Sequence, residues 1–129
     1  FITMNSPSYF EIQVTNPRAS INFYSAVFGW SFELDPYIPI PYYRIQTGGM
    51  MGGLMQRDTP WNEHMKWTTN AFMCSMQVED FDAMSEKILA NGGMVAIPKF
   101  AVPGKCWQGY FLDNDKNVFG LYQVDESAK

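Results

Sequence analysis

Cysteine, histidine and clustered positive charge are what this chain has least of. Among its 129 residues are two cysteines, Cys74 and Cys106, and one histidine, His64. Two thiols do not make the disulfide framework that staples small secreted domains. Free thiols in a reducing compartment are therefore expected, with the cytoplasm as the default location. Cys74 falls among apolar neighbours, where a buried, inert thiol is expected rather than a reactive one. No Ser-His-Asp or Cys-His arrangement has support beyond composition. The nine basic residues are scattered, with no two adjacent, and the net charge is −4. With a pI near 4.8, this excludes the clustered positive surface that nucleic acid or an anionic membrane needs. No apolar run approaches the roughly 20 residues of a spanning helix. Residues 1–9 have neither the basic start nor the apolar stretch of a secretory leader.

What is present is apolar and aromatic. A chain of this length suits one domain able to bury about two-thirds of its unfolded surface. The composition is 47% hydrophobic and 16% aromatic, with nine Met and seven Tyr. Some of that Met fills irregular gaps in a core. The surplus suits a cavity wall or a subunit interface, where Met, Tyr and Trp are favoured.

Periodicity then divides the chain. Phe10, Ile12 and Val14 alternate with Tyr9, Glu11 and Gln13, which predicts a half-buried strand over 9–14. Asn16-Pro17 supplies a cap and a first helical residue. Ala19, Phe23, Ala26 and Val27 recur at helical spacing, and Gly29 is placed as the stop. Strands are predicted over 30–34, 42–46 and 50–56. A polar, aperiodic stretch at about 58–70 reads as a linker holding Trp61, His64 and Trp67. The pattern then restarts: a strand over 71–78, an Asp80 cap, a helical stripe through Phe81, Met84, Ile88 and Leu89, and an Asn91-Gly92-Gly93 stop. Strands follow over 94–97, 105–112 and 118–124, with a tight turn over 113–117.

The halves keep register. Val14 and Val78, Asn16 and Asp80, Gln13 and Gln77, Ala19 and Ala83, Ala26 and Ala90, and Gly29 and Gly93 are each 64 positions apart. A matching strand end, cap and stop point to an internal duplication of a βαβββ unit. The first half spans about 7–57 and the second about 71–124 of one domain.

Asn16-Pro17, Ala19 and Phe23-Tyr24-Ser25-Ala26-Val27-Phe28-Gly29-Trp30 resemble the opening motif of the glyoxalase/bleomycin resistance/extradiol dioxygenase (vicinal oxygen chelate) superfamily. Gly92-Gly93, Pro98 and Phe111-Leu112-Asp113-Asn114-Asp115-Lys116-Asn117-Val118-Phe119-Gly120-Leu121 resemble its closing motif, with Asn114 and Lys116 in place of the usual Pro and Gly. The resemblance implies an α+β fold of two βαβββ modules, forming curled mixed sheets around a cup-shaped cavity, often in a dimer. It also implies that metal-dependent members take one His, Glu or Gln ligand from the first and last strand of each half. Those places fall here on Tyr9, Gln56, Met73 and Gly120. One amide, a phenol, a thioether and an absent side chain are a poor donor set for a divalent ion. The expectation is no metal and no cofactor, and without one glyoxalase and extradiol chemistry lose their electrophile.

The remaining candidates follow from strand faces. Glu11 shares the Tyr9/Gln13 face and is the one candidate acid/base, the other reading being a solvated or salt-bridged strand residue. Gln56 and Ser75 are candidate hydrogen-bonding groups. Tyr9, Met50, Leu54, Met73, Trp107 and Tyr122 are candidate walls suited to a flat or apolar ligand. Gly48-Gly49 and Gly52-Gly53 bracket a strand and fit a kink better than a phosphate cradle. Two functional classes remain. The first, which is favoured, is a metal-independent homodimeric protein binding an apolar or aromatic small molecule. The second is a glyoxalase-type lyase or isomerase, or a dioxygenase-related enzyme, drawing on Glu11, Gln56, Glu63 and His64 as its spare groups.

Overall fold

A computed structural model describes residues 5, 8–57 and 73–129, and the chain divides between Met65 and Lys66 into two compact units. The expected linker, with Trp61, Glu63, His64 and Trp67, lies outside the described residues. The first unit runs β1 (Phe10–Val14), α1 (Pro17–Phe28), β2 (Ser31–Leu34), β3 (Tyr42–Gln46) and β4 (Gly52–Gln56). The second runs β5 (Ser75–Gln77), α2 (Phe81–Ala90), β6 (Met94–Val102), β7 (Cys106–Leu112) and β8 (Val118–Val124). The sheets are ordered β1-β4-β3-β2 and β5-β8-β7-β6. In each, the first strand is parallel to the last and the other pairs are antiparallel. This is the α+β architecture of two βαβββ modules that the duplication predicts.

The duplicated caps work at the predicted offset. Asn16 Oδ1 accepts the Ala19 N–H at 3.2 Å, and Asp80 Oδ1 accepts the Ala83 N–H at 3.0 Å. Each satisfies a first-turn donor that has no partner within the helix. One position later the halves differ. Pro17 has no N–H to satisfy, whereas its counterpart Phe81 donates to Gln123 Oε1 at 2.7 Å. The stops differ too. Gly29 ends α1 in the left-handed region with φ 72°, its N–H on Ser25 O at 3.0 Å. In α2 the cap is Asn91, and it is Gly92 that takes a positive φ, 93°. Gly93 serves close packing instead, because a Cβ there would lie 2.5 Å from Ile88 Cγ2 and 2.9 Å from the Leu112 carbonyl oxygen.

Each helix covers one face of its own sheet. In the first unit Val14, Ile45 and Leu54 are fully buried, with Phe10, Ile12, Ile21, Trp30, Phe32 and Tyr43 packed around them. Tyr24 of α1 stacks on Trp30 at 5.0 Å with the planes 4° apart. In the second, Phe111 stands 6.0 Å from both Phe81 and Phe119. Burying these faces against α1 and α2 is the dominant favourable term in each unit.

Two strand boundaries move. β6 continues past the expected Ile97 to Val102, through Pro98 and two register shifts. It is an edge strand, where a proline's missing N–H costs no ladder bond, and it leaves Met94, Val95, Ile97 and Phe100 exposed. β5 is shorter than expected. Cys74 precedes it and is exposed rather than buried, its carbonyl accepting the Gly120 N–H at 2.8 Å. The turn over 113–117 forms as predicted. Asp113 Oδ1 accepts the N–H groups of Asp115 and Asn117 at 2.8 and 2.9 Å. Lys116 takes the left-handed conformation, φ 65°, that glycine adopts more readily.

Candidate functional site

Alternation sends Tyr9, Glu11 and Gln13 to the face of the first sheet away from α1. Glu11 pairs with Gly53 and Gly53 with Arg44, so Arg44, and Tyr42 two residues before it, share that face. There they form one connected network. Arg44 Nη1 donates to Tyr9 Oη at 2.8 Å, Tyr9 Oη lies 2.8 Å from Tyr42 Oη, and Tyr42 donates to Glu11 Oε2 at 2.7 Å. The Arg44 guanidinium is held from behind by Asp35, with Nε and Nη2 at 3.1 and 3.0 Å from Oδ2. It also lies over the rings of Tyr9 and Tyr42, 5.9 and 5.2 Å from their centroids. Tyr42 is only 4% exposed. Burial first, then its hydrogen bonds to Tyr9 and Glu11, hold its phenol far above the usual range, so it stays protonated and a donor.

The second sheet's corresponding face carries Ser75, Gln77, Gln108, Tyr110 and Tyr122, placed by the β5–β8 and β7–β8 registers. Tyr122 Oη donates to Gln77 Oε1 at 3.3 Å. Tyr110 stacks on Phe100 at 6.4 Å. This face is polar but carries no carboxylate.

Of the residues singled out from sequence, Tyr9 and Glu11 meet in one network, and Ser75 and Tyr122 share a face. Gln56 does not join Glu11. It pairs with Val14 and stands with Leu54 on the α1 side, exposed at the strand's end. Leu54 is core, not wall. Met73 lies two residues ahead of β5 and is 58% exposed, and Met50 precedes β4, also exposed. Trp107 stands on the α2 side with its partner Gln123. Lys99 Nζ lies 4.8 Å from its ring centroid and 5.5 Å from that of Phe81, and bonds Asp82 of α2 at 3.1 Å. Missing from the sequence reading were Tyr42, Arg44 and Asp35. The available signal was Arg44 standing two residues after Tyr42, on one face of a predicted strand.

Trp107 ties down the C-terminal segment. Its Nε1–H donates to Asp125 Oδ2 at 2.9 Å, while Asp125 Oδ1 accepts the Ser127 hydroxyl at 2.6 Å and the Ser127 N–H at 2.9 Å. The Ser127 hydroxyl, then its N–H and Trp107, lower the Asp125 pKa. A depressed carboxyl contributes stability that is present above its unfolded pKa and lost as pH falls through the folded one. Asp125→Asn is therefore expected to flatten the acid limb of a melting-temperature profile below the ordinary carboxylate range. An unchanged acid limb would contradict this.

A family model for the glyoxalase/bleomycin resistance protein/dioxygenase superfamily matches residues 6–121. The chain belongs to this superfamily. CFP32 of Mycobacterium tuberculosis (strain CDC 1551 / Oshkosh) is 25% identical over 126 residues, covering 93% of this chain and 46% of that protein. The chain thus spans about half the length of the curated relatives it matches. Among solved structures, a glyoxylase/bleomycin resistance protein/dioxygenase domain from Frankia sp. EAN1pec aligns with TM-score 0.76 at 18% identity, covering 96% of this chain and 95% of that one. The fosfomycin resistance protein FosX from Listeria monocytogenes aligns with TM-score 0.74 at 17% identity, covering 95% and 94%. At these identities the structures speak for the fold.

Membership sharpens the metal question. Ser75 lies 64 residues after Glu11 and pairs with Gly120 as Glu11 pairs with Gly53. The counterpart of Gly120 is therefore Gly53, not Gln56, and the last strand of each half offers glycine where the superfamily places a ligand. Neither position is open. A Cβ at Gly53 would overlap the Tyr42 hydroxyl, and one at Gly120 would overlap the Ser75 hydroxyl and lie 3.1 Å from Gln108 Nε2. With Tyr9 and Met73 as the remaining pair, the residues present do not fit a divalent cation. Among the described residues no three His, Cys, Asp or Glu side chains gather in a group that could hold one.

Proposed function

We propose that this protein binds a small apolar or aromatic molecule without a metal or cofactor, and does so on the sheet faces away from the helices. The observation that carries this reading is the pair Gly53 and Gly120. The last-strand positions that the superfamily resemblance assigns to ligands lack side chains, and neighbouring hydroxyls occupy the space beside them. Each face by itself offers aromatic and polar groups, Tyr9 over the buried Tyr42 in the first unit and Tyr110 with Tyr122 in the second, that suit a flat molecule with few polar groups. Glu11 is assigned as a hydrogen-bond acceptor and the sole candidate acid/base, with Ser75 a further polar contact.

A homodimer in the cytoplasm completes the proposal. The exposed apolar residues of edge strand β6 favour a covering partner, and the free cysteines favour a reducing compartment. No described helix is long and apolar enough to cross a membrane.

Elemental analysis of purified protein, a methylglyoxal–glutathione turnover assay and a thermal-shift screen of aromatic compounds test this together. The expected result is substoichiometric metal, no turnover and at least one stabilising compound. A ligand at 100 times its Kd stabilises by about 2.7 kcal/mol. Stoichiometric metal with turnover would overturn the reading in favour of a glyoxalase-type enzyme.

A further inference from the structure

The network on the first sheet has a direction. Tyr42 donates its single proton to Glu11 Oε2 at 2.7 Å, so across the 2.8 Å contact with Tyr9 its oxygen can only accept. Tyr9 has thereby committed its own proton inward, and its oxygen accepts from Arg44 Nη1 at 2.8 Å. The chain runs Arg44 to Tyr9 to Tyr42 to Glu11, from cation to carboxylate, each link polarising the next. Asp35 fixes the cationic end by gripping the opposite edge of the guanidinium.

Two consequences face solvent. Tyr9, 39% exposed, presents a lone pair and no hydrogen to an approaching group. The Arg44 side chain, 45% exposed, presents N–H groups beside it. Among the described residues the charges on this side of the sheet are Arg44 and, past the end of β4, Arg57 on the Gln13 carbonyl, against Glu11, Asp35 and Glu33, the last being the cross-strand partner of Arg44. The carboxylates outnumber the cations, and Asp35 already pairs with Arg44, which disfavours an anionic ligand and leaves room for a neutral one.

We propose that this face selects a neutral aromatic molecule bearing a hydroxyl group, whose O–H donates to Tyr9 Oη while an Arg44 N–H donates to the same ligand oxygen. This rests on the small-molecule reading above and narrows it from apolar aromatics to hydroxylated ones. Glu11 acts through Tyr42 as a positioning residue, because its acceptor-only oxygen sets which way both hydroxyl protons point. An amide in its place can donate to Tyr42, release the chain's direction and let Tyr9 donate outward.

The test compares 1-naphthol, 1-methoxynaphthalene and naphthalene, titrated by fluorescence against the full chain and against Glu11→Gln and Tyr42→Phe. The wild-type chain is expected to bind 1-naphthol about tenfold more tightly than either of the others, the worth of one well-made hydrogen bond with its partner's penalty avoided. In both variants the preference should shrink to about twofold or less, with folding verified by circular dichroism. Equal wild-type affinity for the three compounds, or full preference in Glu11→Gln, would overturn the proposal while leaving small-molecule binding intact. Binding of none of them, together with no hit in the thermal-shift screen, would overturn the small-molecule reading itself.

Discussion

Phe111→Ala is expected to cost about 3–5 kcal/mol of folding stability, at the upper end for a large-to-small core substitution. The Phe111 ring lies 6.0 Å from both Phe81 of α2 and Phe119 of β8, so its loss removes the piece that joins helix to sheet. The hole cannot close easily. On β7 the neighbouring helix-facing residue is Gly109, where a Cβ would already lie 2.7 Å from Phe81 Cζ. Phe111→Leu should recover more than half of the loss, since most of the buried area returns. Urea titration checks this: the midpoint should fall with little change in slope. A midpoint indistinguishable from wild type would mean that the second core is not centred on this ring.

Gly53→Ala is the second large effect, and it acts on stability and site together. The added methyl would overlap the Tyr42 hydroxyl and lie 2.8 Å from Cε1 of the same ring. That ring is buried and has nowhere to retreat without breaking its bonds to Tyr9 and Glu11. Overpacking of this kind costs about 1–3 kcal/mol. The 1-naphthol preference should be lost in the same variant. Combining it with Tyr42→Phe should recover only part of the stability, since the hydroxyl contact is then gone while Cζ still lies 2.3 Å from the added methyl, and a double-mutant cycle reads that coupling directly. Strict additivity of the two substitutions would show that the methyl finds room some other way.

Local chemistry was legible in the sequence, and pairing was not. The caps at Asn16 and Asp80, the Gly29 stop and the turn built on Asp113 depend on residues within a few positions of one another, and they formed as the sequence predicts. The face of Gln56 is not legible locally, because nothing in Met50–Gln56 says which residue lies opposite Glu11, and a shift of one position reverses every side chain. The pairing of Glu11 with Gly53 decides it. Trp107 went the same way, since its face is set by Gln123 across the β7–β8 pair. The Tyr9–Tyr42–Glu11–Arg44 network joins residues more than 30 positions apart, so no local window contains it. Pro98 interrupts the strand pattern of β6 in the sequence, whereas an edge position lets the strand continue.

The unequal helix starts bear on the order in which the molecule assembles. Pro17 makes the beginning of α1 self-sufficient, because everything it needs lies in the adjoining chain. The beginning of α2 depends on Gln123, a side chain 42 residues downstream on the final strand. Contacts between distant positions form late, because the intervening loop must first be closed. During synthesis the first helix can be complete while the second still waits, its opening turn frayed until the last strand docks.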